Sequence, residues 1–238
     1  MKKSYIFLII LYTIVFCSII LAGLWGSNVV SVFSENSPIE QRHCFIIDAG
    51  HGGIDGGAVS CTGIYESHIN LEISLRLNDL MHLLGYDTKM IRTEDISIYT
   101  SGETIAAKKA SDLKERVRIV NETKNAILLS IHQNHYSNSY YSGGQIFYPK
   151  TIGSKELAMA LQNAFVGTIN LGSNRKAKPV EGLYLMRNIH TTGVLIECGF
   201  LSNYAEEAKL QEPEYQMKIC CVIACVCSDY LLDRAGES

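Results

Sequence analysis

The sequence predicts an α/β fold: a single domain built on a mostly parallel, twisted sheet with helices on both faces. Two features of the 238-residue chain support this prediction. Short apolar runs bounded by turn residues, which are typical of buried strands, alternate with longer segments whose apolar residues recur at helical spacing. Strands and helices in such alternation favour parallel β–α–β connections. A long apolar segment precedes the domain at the N-terminus.

The predicted strands are short apolar runs closed by glycine, proline or a polar residue. The first run ends at Asp48, just before a glycine-rich loop over 50–63, and the fourth is followed by Pro149. The third run is the most apolar of the domain. In chain order, strands are expected at 44–48, 88–91, 126–131, 145–148, 182–186 and 193–196.

The predicted helices carry apolar residues three or four positions apart, which places these residues on one side of each helix. In the first helix they include Leu77 and Met81, and Gly85 follows where a helix commonly ends. The last helix is apolar over most of its length and is expected to be largely buried. Helices are expected at 68–84, 112–124, 155–169 and 214–232.

The N-terminal 27 residues have the composition of a membrane segment. Lys2 and Lys3 precede an uncharged, mostly apolar run from Ser4 to Trp25, and about 20 helical residues span a hydrocarbon core of about 30 Å. This length favours a signal anchor over 1–27, with a cleaved signal peptide as the alternative. A polar tether over 28–42 and a catalytic domain over 43–234 follow. The two lysines place the domain outside the cytoplasm, either membrane-anchored or secreted.

Charge and cysteine content narrow the function classes. The formal net charge is −3 and no basic stripe is present, so a nucleic-acid partner is not expected. Four of the eight cysteines crowd the last predicted helix: Cys220, Cys221, Cys225 and Cys227. We interpret these four as small buried hydrophobic residues. A soft-metal cluster, or pairing that involves Cys44, Cys61 or Cys198, remains an alternative.

Three predicted strands deliver residues that bind or activate ligands. His51 follows the first strand, His132 the third and Glu197 the last, and ligands of open α/β sheets bind beyond the carboxyl ends of the strands. A catalytic zinc site needs three protein ligands and leaves one position for water. We expect one zinc ion per chain, held by His51, Glu66 and His132. Glu197 then stays free to act as the general base of a hydrolysis.

Other residues near these positions have secondary roles or are alternatives. His135 could replace His132 as a ligand, and Asp48 and Asn134 could orient the two histidines. The chain has no Gly-x-Ser-x-Gly motif and no cysteine with a clear histidine partner, which argues against a nucleophilic hydrolase. The glycine-rich loop lacks the Gly-Lys-Ser/Thr of a phosphate-binding loop.

Taken together, these motifs resemble the zinc-dependent N-acetylmuramoyl-L-alanine amidases of the amidase 3 family. The resemblance covers about 44–232 and is carried by the segments 48–58, 65–66, 91–95, 113–121, 130–134 and 194–203. It implies that His51, Glu66 and His132 bind zinc and that Glu197 is the catalytic glutamate. The implied reaction is hydrolysis of the amide bond between N-acetylmuramic acid and L-alanine in peptidoglycan.

The layout of the chain is similar to that of the spore-cortex and germination-specific amidases. This similarity implies a role in cortex maturation, through muramic-lactam formation, or in germination, and a location at the cell wall or in the forespore intermembrane space. Because no wall-binding repeat accompanies the domain, recruitment is expected through the N-terminal membrane segment or an activating protein partner. Tyr136, Asn138 and Arg187 are candidate contacts at the rim of the substrate site.

Two other functions fit the same residues. The first is a zinc carboxypeptidase-type peptidoglycan hydrolase, which would need a cation such as Arg187 or Arg175 to hold a terminal carboxylate. The second is a non-catalytic wall-binding scaffold that keeps the fold. The intact set of His51, Glu66 and His132 argues against a scaffold, and the products of the reaction distinguish the two hydrolases.

Overall fold

The computed structural model describes residues 42–236, and within this range six strands form one sheet in the order β2-β1-β3-β6-β4-β5. Strands β1, β2, β3 and β6 run parallel, whereas β4 is antiparallel to β6. The mostly parallel sheet is therefore confirmed. The strands are β1 (Cys44–Ala49), β2 (Asp87–Met90), β3 (Ala126–Asn134), β4 (Gln145–Tyr148), β5 (Lys178–Pro179) and β6 (Thr192–Phe200).

Six helices connect and cover these strands in the described part of the chain. They are α1 (Glu66–Leu83), α2 (Ile105–Glu122), α3 (Ser154–Thr168), α4 (Tyr184–Asn188), α5 (Tyr204–Leu210) and α6 (Pro213–Gly236). The predicted anchor (1–27) and nearly all of the tether (28–42) lie outside the described residues, so their boundaries stay predictions.

Alternate residues of the central strands pack into two hydrophobic clusters. Phe45, Ile47 and Leu129 belong to the cluster that helices α1, α3 and α6 share. Ile46 and Leu128 belong to the other cluster, together with residues of α2 and α4. Because successive strand side chains point to opposite faces, this division confirms that helices cover both faces of the sheet.

Two element predictions were wrong. The segment predicted as a strand at 182–186 contains the start of helix α4, which buries Leu185 and Met186 against the sheet. Helix α2 begins seven positions before the predicted start, because Thr104 caps it: the Thr104 hydroxyl accepts a hydrogen bond from the backbone N–H of Ala107. Helix α5 had not been predicted at all.

The C-terminal helix α6 is an element of the core. By length and composition alone, its segment Pro213–Arg234 could cross a membrane, with a mean hydropathy of 1.4. Ile219, Ile223 and Cys227 are nevertheless fully buried and belong to the cluster that α1 and α3 share. Helix α6 therefore resembles the buried core helices that pass the same composition test.

The expectation that all four C-terminal cysteines are buried was only half right. Cys220 and Cys227 face the core, whereas Cys221 and Cys225 are exposed. All four, as well as Cys44, Cys61 and Cys198, are free thiols in the structure. Burial raises the pKa of the Cys220 thiol to about 12, so this thiol stays protonated at neutral pH.

Candidate metal centre

The sequence-predicted site residues meet in one cavity at the carboxyl edge of the sheet. The cavity has a volume of about 370 Å³, and His51, Glu66, His132 and Glu197 all contribute to its lining. His132 and Glu197 lie side by side on neighbouring strands, because β3 and β6 pair them in parallel register. An irregularity in the β3–β6 pairing follows His132 immediately, and such bulges commonly redirect side chains beside active sites.

Three side chains form a compact cluster in this cavity. One ligand atom each from His51, Glu66 and His132 lies within 4.8 Å of the other two. Glu66 bridges the two histidines: its Oε2 lies 3.3 Å from His51 Nε2, and its Oε1 lies 3.0 Å from His132 Nδ1. His135, the alternative ligand, is exposed and outside this cluster.

The loop that carries His51 is shaped by close contacts. His51 has a backbone φ of 60°, which is uncommon for a residue with a side chain. A Cβ on Gly50 would lie 2.3 Å from the imidazole of His132. A Cβ on Gly57 would lie 2.6 Å from Glu66 Oε2. Glycine at these two positions therefore leaves the room that His132 and Glu66 occupy.

Glu66 is held in place by the backbone around it. Its Oε2 accepts a hydrogen bond of 3.0 Å from the N–H of Ala58, and its Oε1 accepts one of 3.1 Å from the N–H of Gln133. The buried Asn70 amide donates a third, of 3.2 Å, to Oε1. Because both carboxylate oxygens have fixed donors, the carboxylate is oriented before any ligand binds.

Glu197 differs from the other members of the group because it is unpaired. Its Oε2 is enclosed and has no hydrogen-bond partner among residues 42–236. Burial raises the pKa of Glu197 to about 7, an effect that nearby His132 opposes and Glu66 reinforces. An enclosed polar atom without a partner is costly, so this carboxylate is suited to a group that binds in the cavity.

The donor set fits zinc. Two imidazoles and one carboxylate are among the usual ligands of catalytic zinc sites, which keep one further position for water. The enclosed, unpartnered oxygen of Glu197 lies in the same cavity. A carboxylate beside the open position of such a site can accept the proton of an attacking water.

The family profile described as N-acetylmuramoyl-L-alanine amidase, amidase 3, matches residues 45–225. The chain belongs to this family. It is therefore a peptidoglycan hydrolase that cleaves the amide bond between N-acetylmuramic acid and L-alanine. Since peptidoglycan lies outside the cytoplasm, an extracytoplasmic location follows. The predicted activity is confirmed, and the carboxypeptidase and scaffold alternatives lose their support.

Named relatives share most of the amidase domain. The germination-specific N-acetylmuramoyl-L-alanine amidase of Bacillus subtilis is 36% identical over 73% of this chain and 73% of its own length. The structure of the CwlD amidase from Clostridioides difficile, in complex with the GerS lipoprotein, is 37% identical with a TM-score of 0.76. The match covers 80% of this chain and 98% of that one. A second amidase structure, from Clostridium difficile 630, is 31% identical with a TM-score of 0.68, over 80% of this chain and 97% of that one.

Two buried arginines fix the amidase loop that carries His51, although no role had been predicted for either. Arg92 donates hydrogen bonds to the carbonyls of Ala49 (2.8 Å) and Gly50 (3.0 Å). Arg116 donates to the carbonyls of Ala49 (3.0 Å) and His51 (2.8 Å). The carbonyls at the end of β1 and in the turn after it therefore accept hydrogen bonds from two guanidinium groups. These bonds hold the backbone of His51 in its uncommon conformation.

Asp48 has a different role in the amidase from the predicted one. It was expected to orient a histidine, but it pairs with Arg116 and accepts a hydrogen bond of 2.7 Å from the Ser130 hydroxyl. The residue that orients His51 is Asp55, whose Oδ2 lies 3.0 Å from His51 Nδ1. Asp55 belongs to the segment that carries the family resemblance, but by itself it looked like an ordinary turn residue.

Charge in the cluster favours binding of a cation. Burial lowers the pKa of His51, but the hydrogen bonds to Asp55 and Glu66 outweigh it and raise this pKa to about 9. Burial likewise acts to raise the pKa of Glu66, yet the hydrogen bonds from His132 and His51 hold it well below its usual value. Glu66 is therefore ionised and lies between the two imidazoles. A metal ion can bind to these three side chains in place of a proton.

The candidate rim residues lie apart from the cavity of the amidase. Tyr136 and Arg187 are exposed, and neither contributes to the lining. Arg175, proposed as a carboxylate-binding cation, donates instead to the carbonyl of Ser142 and lies over the ring of Phe200. A contact of Tyr136, Asn138 or Arg187 with substrate at the rim therefore stays a prediction, whereas Arg175 is already bound to these other partners.

Proposed function

We propose that this amidase depends on one zinc ion held by His51, Glu66 and His132, and that Glu197 is its general base. The observation that carries the proposal is the approach of three donor side chains from separate segments to within 4.8 Å of one another. The fixed carboxylate of Glu66 and the hydrogen bond from His51 to Asp55 support it, because catalytic zinc ligands are commonly oriented by such partners.

The residues of the chain have distinct tasks in this proposal. A bound zinc ion supplies Lewis acidity, which polarises the scissile carbonyl and lowers the pKa of water. Glu197 Oε2 accepts the proton of the attacking water and returns it to the amine of L-alanine as the amide bond breaks. Burial favours the protonated form of this carboxylate and so raises its pKa, which helps it to take up the proton of water. Arg92 and Arg116 hold the His51 loop still while these steps occur.

We also propose that the substrate is spore-cortex peptidoglycan, modified during muramic-lactam formation or during germination. Support comes from the relatives: one is named as germination-specific, and another was solved in complex with a lipoprotein. By the same likeness we propose an activating lipoprotein partner for this chain. The segment 1–27 would anchor the enzyme outside the cytoplasm, at the cell wall or in the forespore intermembrane space.

Metal analysis together with product analysis tests the catalytic proposal. Purified protein should contain one zinc per chain, and zinc-loaded protein should release stem peptides with a free L-alanine N-terminus from cortex peptidoglycan. A His132→Ala variant should lose both zinc and turnover. Peptides cut at other bonds would instead indicate a carboxypeptidase, and full turnover in metal-free protein would contradict the zinc site.

A further inference from the structure

The cavity extends beyond the metal centre and has room for part of the substrate. Its volume of about 370 Å³ is many times the roughly 10–15 Å³ that one water molecule needs. Lys108 and Leu113 of helix α2 line one wall, and Leu183 and Tyr184 at the start of helix α4 contribute to the lining as well. These walls lie outside the three-residue cluster, so they are available to groups next to the scissile amide.

Each positively charged side chain along this wall has a partner of opposite charge, with one exception among residues 42–236. Lys109 Nζ lies 2.7 Å from Asp55, which in turn binds His51. Arg116 is matched by two aspartates. Lys108 forms no salt bridge with a described residue, and its ammonium group lies 5.0 Å from the centre of the Tyr99 ring.

The contact with Tyr99 positions the Lys108 ammonium without neutralising it. An aromatic face attracts a cation through its quadrupole but carries no net charge. Lys108 is half-buried, so its charge is screened less than that of a fully exposed lysine. A cation that is held in a substrate cavity without an anionic partner can bind an anionic group of the substrate.

The substrate carries such a group near the bond that is cleaved. In the stem peptide, the residue after L-alanine is a D-glutamate joined through its side chain, which leaves its α-carboxylate free or amidated. One residue spans at most about 3.3–3.6 Å, so this carboxylate lies within two residues of the scissile amide. Lys108 lines the same cavity as His51, Glu66 and His132.

We propose that Lys108 binds the α-carboxylate of the second stem-peptide residue, so that the enzyme prefers stem peptides in which this carboxylate is free over those in which it is amidated. The inference rests on the proposed function, because it takes peptidoglycan cleavage at L-alanine as given. The partly exposed Leu113 and Leu183 supply apolar surface for the methyl group of L-alanine in the same pose.

The test compares two disaccharide tripeptides that differ only in amidation of this carboxylate. Binding is measured first, by calorimetry on zinc-loaded Glu197→Gln protein, which cannot turn the substrates over. Lys108→Met and Lys108→Arg are then introduced, with Lys114→Met as the matched control. Lys114 is exposed on the same helix and outside the cavity lining.

Lys108→Met should weaken binding of the free-carboxylate tripeptide about tenfold, the order expected for one charge-assisted hydrogen bond. Binding of the amidated tripeptide should hardly change, Lys108→Arg should retain most of the preference, and Lys114→Met should match the parent. In the active enzyme, the loss should appear in KM rather than in kcat.

Equal affinity of the parent protein for both tripeptides, or the same small effect from Lys108→Met and Lys114→Met, would overturn the inference. Failure of the proposed function has a different signature: a protein that discriminates the tripeptides in binding but, with Glu197 restored, releases no L-alanyl peptide. The two failures therefore stay distinguishable.

Discussion

At the scale of single residues, the site separates groups that are fixed from one group that is free. Besides the two imidazoles, Glu66 has three donors on its carboxylate, whereas Glu197 Oε2 has none among the described residues. A side chain without partners contributes little to the local structure. The function of Glu197 can therefore be removed with little disturbance of the residues around it.

Glu197→Gln is expected to retain zinc and lose hydrolysis. Glutamine has nearly the same shape but cannot accept the proton of water, and general-base catalysis contributes roughly 10²–10⁴-fold to a rate. Zinc content by metal analysis and kcat on cortex muropeptides measure the two effects. Glu181→Gln, on an exposed loop residue, is the control. Near-normal turnover of Glu197→Gln would remove this residue from the mechanism.

Gly50→Ala is expected to weaken zinc binding about tenfold or more while the protein stays folded. The added methyl group would lie 2.3 Å from the His132 ring, so the ring must move. Loss of the partners that orient a metal ligand typically lowers metal affinity about 10–100-fold, and we expect a displaced ligand to have an effect of the same order. Competition with a chelator measures the affinity. Gly167→Ala, where a methyl group meets nothing within 4 Å, should leave it unchanged. Equal zinc affinity of the two variants would contradict the steric argument.

At the scale of elements, a buried side chain joins helix α2 to the turn after β1. Arg116 extends from the middle of α2, pairs with Asp48 at the end of β1, and donates to carbonyls of the turn that carries His51. Both members of this ion pair are buried. The position of His51, the first of the proposed metal ligands, thus depends on the packing of a helix that contributes no proposed ligand itself.

Arg116→Met should destabilise the fold strongly. It leaves the Asp48 carboxylate buried with only the Ser130 hydroxyl as partner, and breaking a buried pair typically costs about 3–5 kcal/mol. Urea denaturation measures the free energy of unfolding. Arg118→Met on the exposed side of the same helix should have little effect, since its ion pairs are in solvent. A small loss for Arg116→Met would show that water replaces the guanidinium.

Acid should destabilise the wild type more than Arg116→Met. Burial acts to raise the pKa of Asp48, but Arg116 and then His132 lower it, so the folded-state pKa lies below the usual value. The stability from this group is complete above the unfolded-state pKa of about 3.9 and is lost as pH falls through the folded-state pKa. Urea midpoints between about pH 6 and pH 3 measure it. Parallel acid profiles for the two proteins would count against this account.

The sequence predicts the central strands, and the meeting of the four candidate site residues at one edge of the sheet, because both depend on short-range signals. The apolar runs of β1, β3 and β6 end at chemistry-bearing residues, and parallel strands bring such ends together. The segment 182–186 was wrongly predicted as a strand, because a short apolar run fits a strand or a buried helix equally. The roles of Arg92 and Arg116 were missed since long charged side chains are usually exposed.

At the scale of the whole molecule, two hydrophobic clusters hold the sheet between helices, and the larger one includes the C-terminal helix. Cysteines lie on both sides of this helix: Cys220 and Cys227 face the core, and Cys221 and Cys225 face solvent. The stability of the described domain therefore comes from packing, with no disulfide among residues 42–236.

A thiol reagent should distinguish these two sets of cysteines. In native protein, Cys221 and Cys225 should be modified within minutes, because they are exposed. Cys220 and Cys227 should react only after denaturation, since burial both blocks access and raises their pKa. Peptide mass spectrometry identifies the modified sites. Rapid native labelling of Cys227 would show that helix α6 opens from the core.

The separation of the proposed metal ligands along the chain has a consequence for folding. Glu66 and His132 are 66 positions apart, so an ion bound to both would act as a cross-link that closes a long loop. Closing such a loop lowers the conformational entropy of the chain, and the free energy of ion binding offsets this loss. Chelation should therefore lower the melting temperature as well as abolish turnover. Zinc supply outside the cell would then control how long each enzyme molecule survives, in addition to how fast it works.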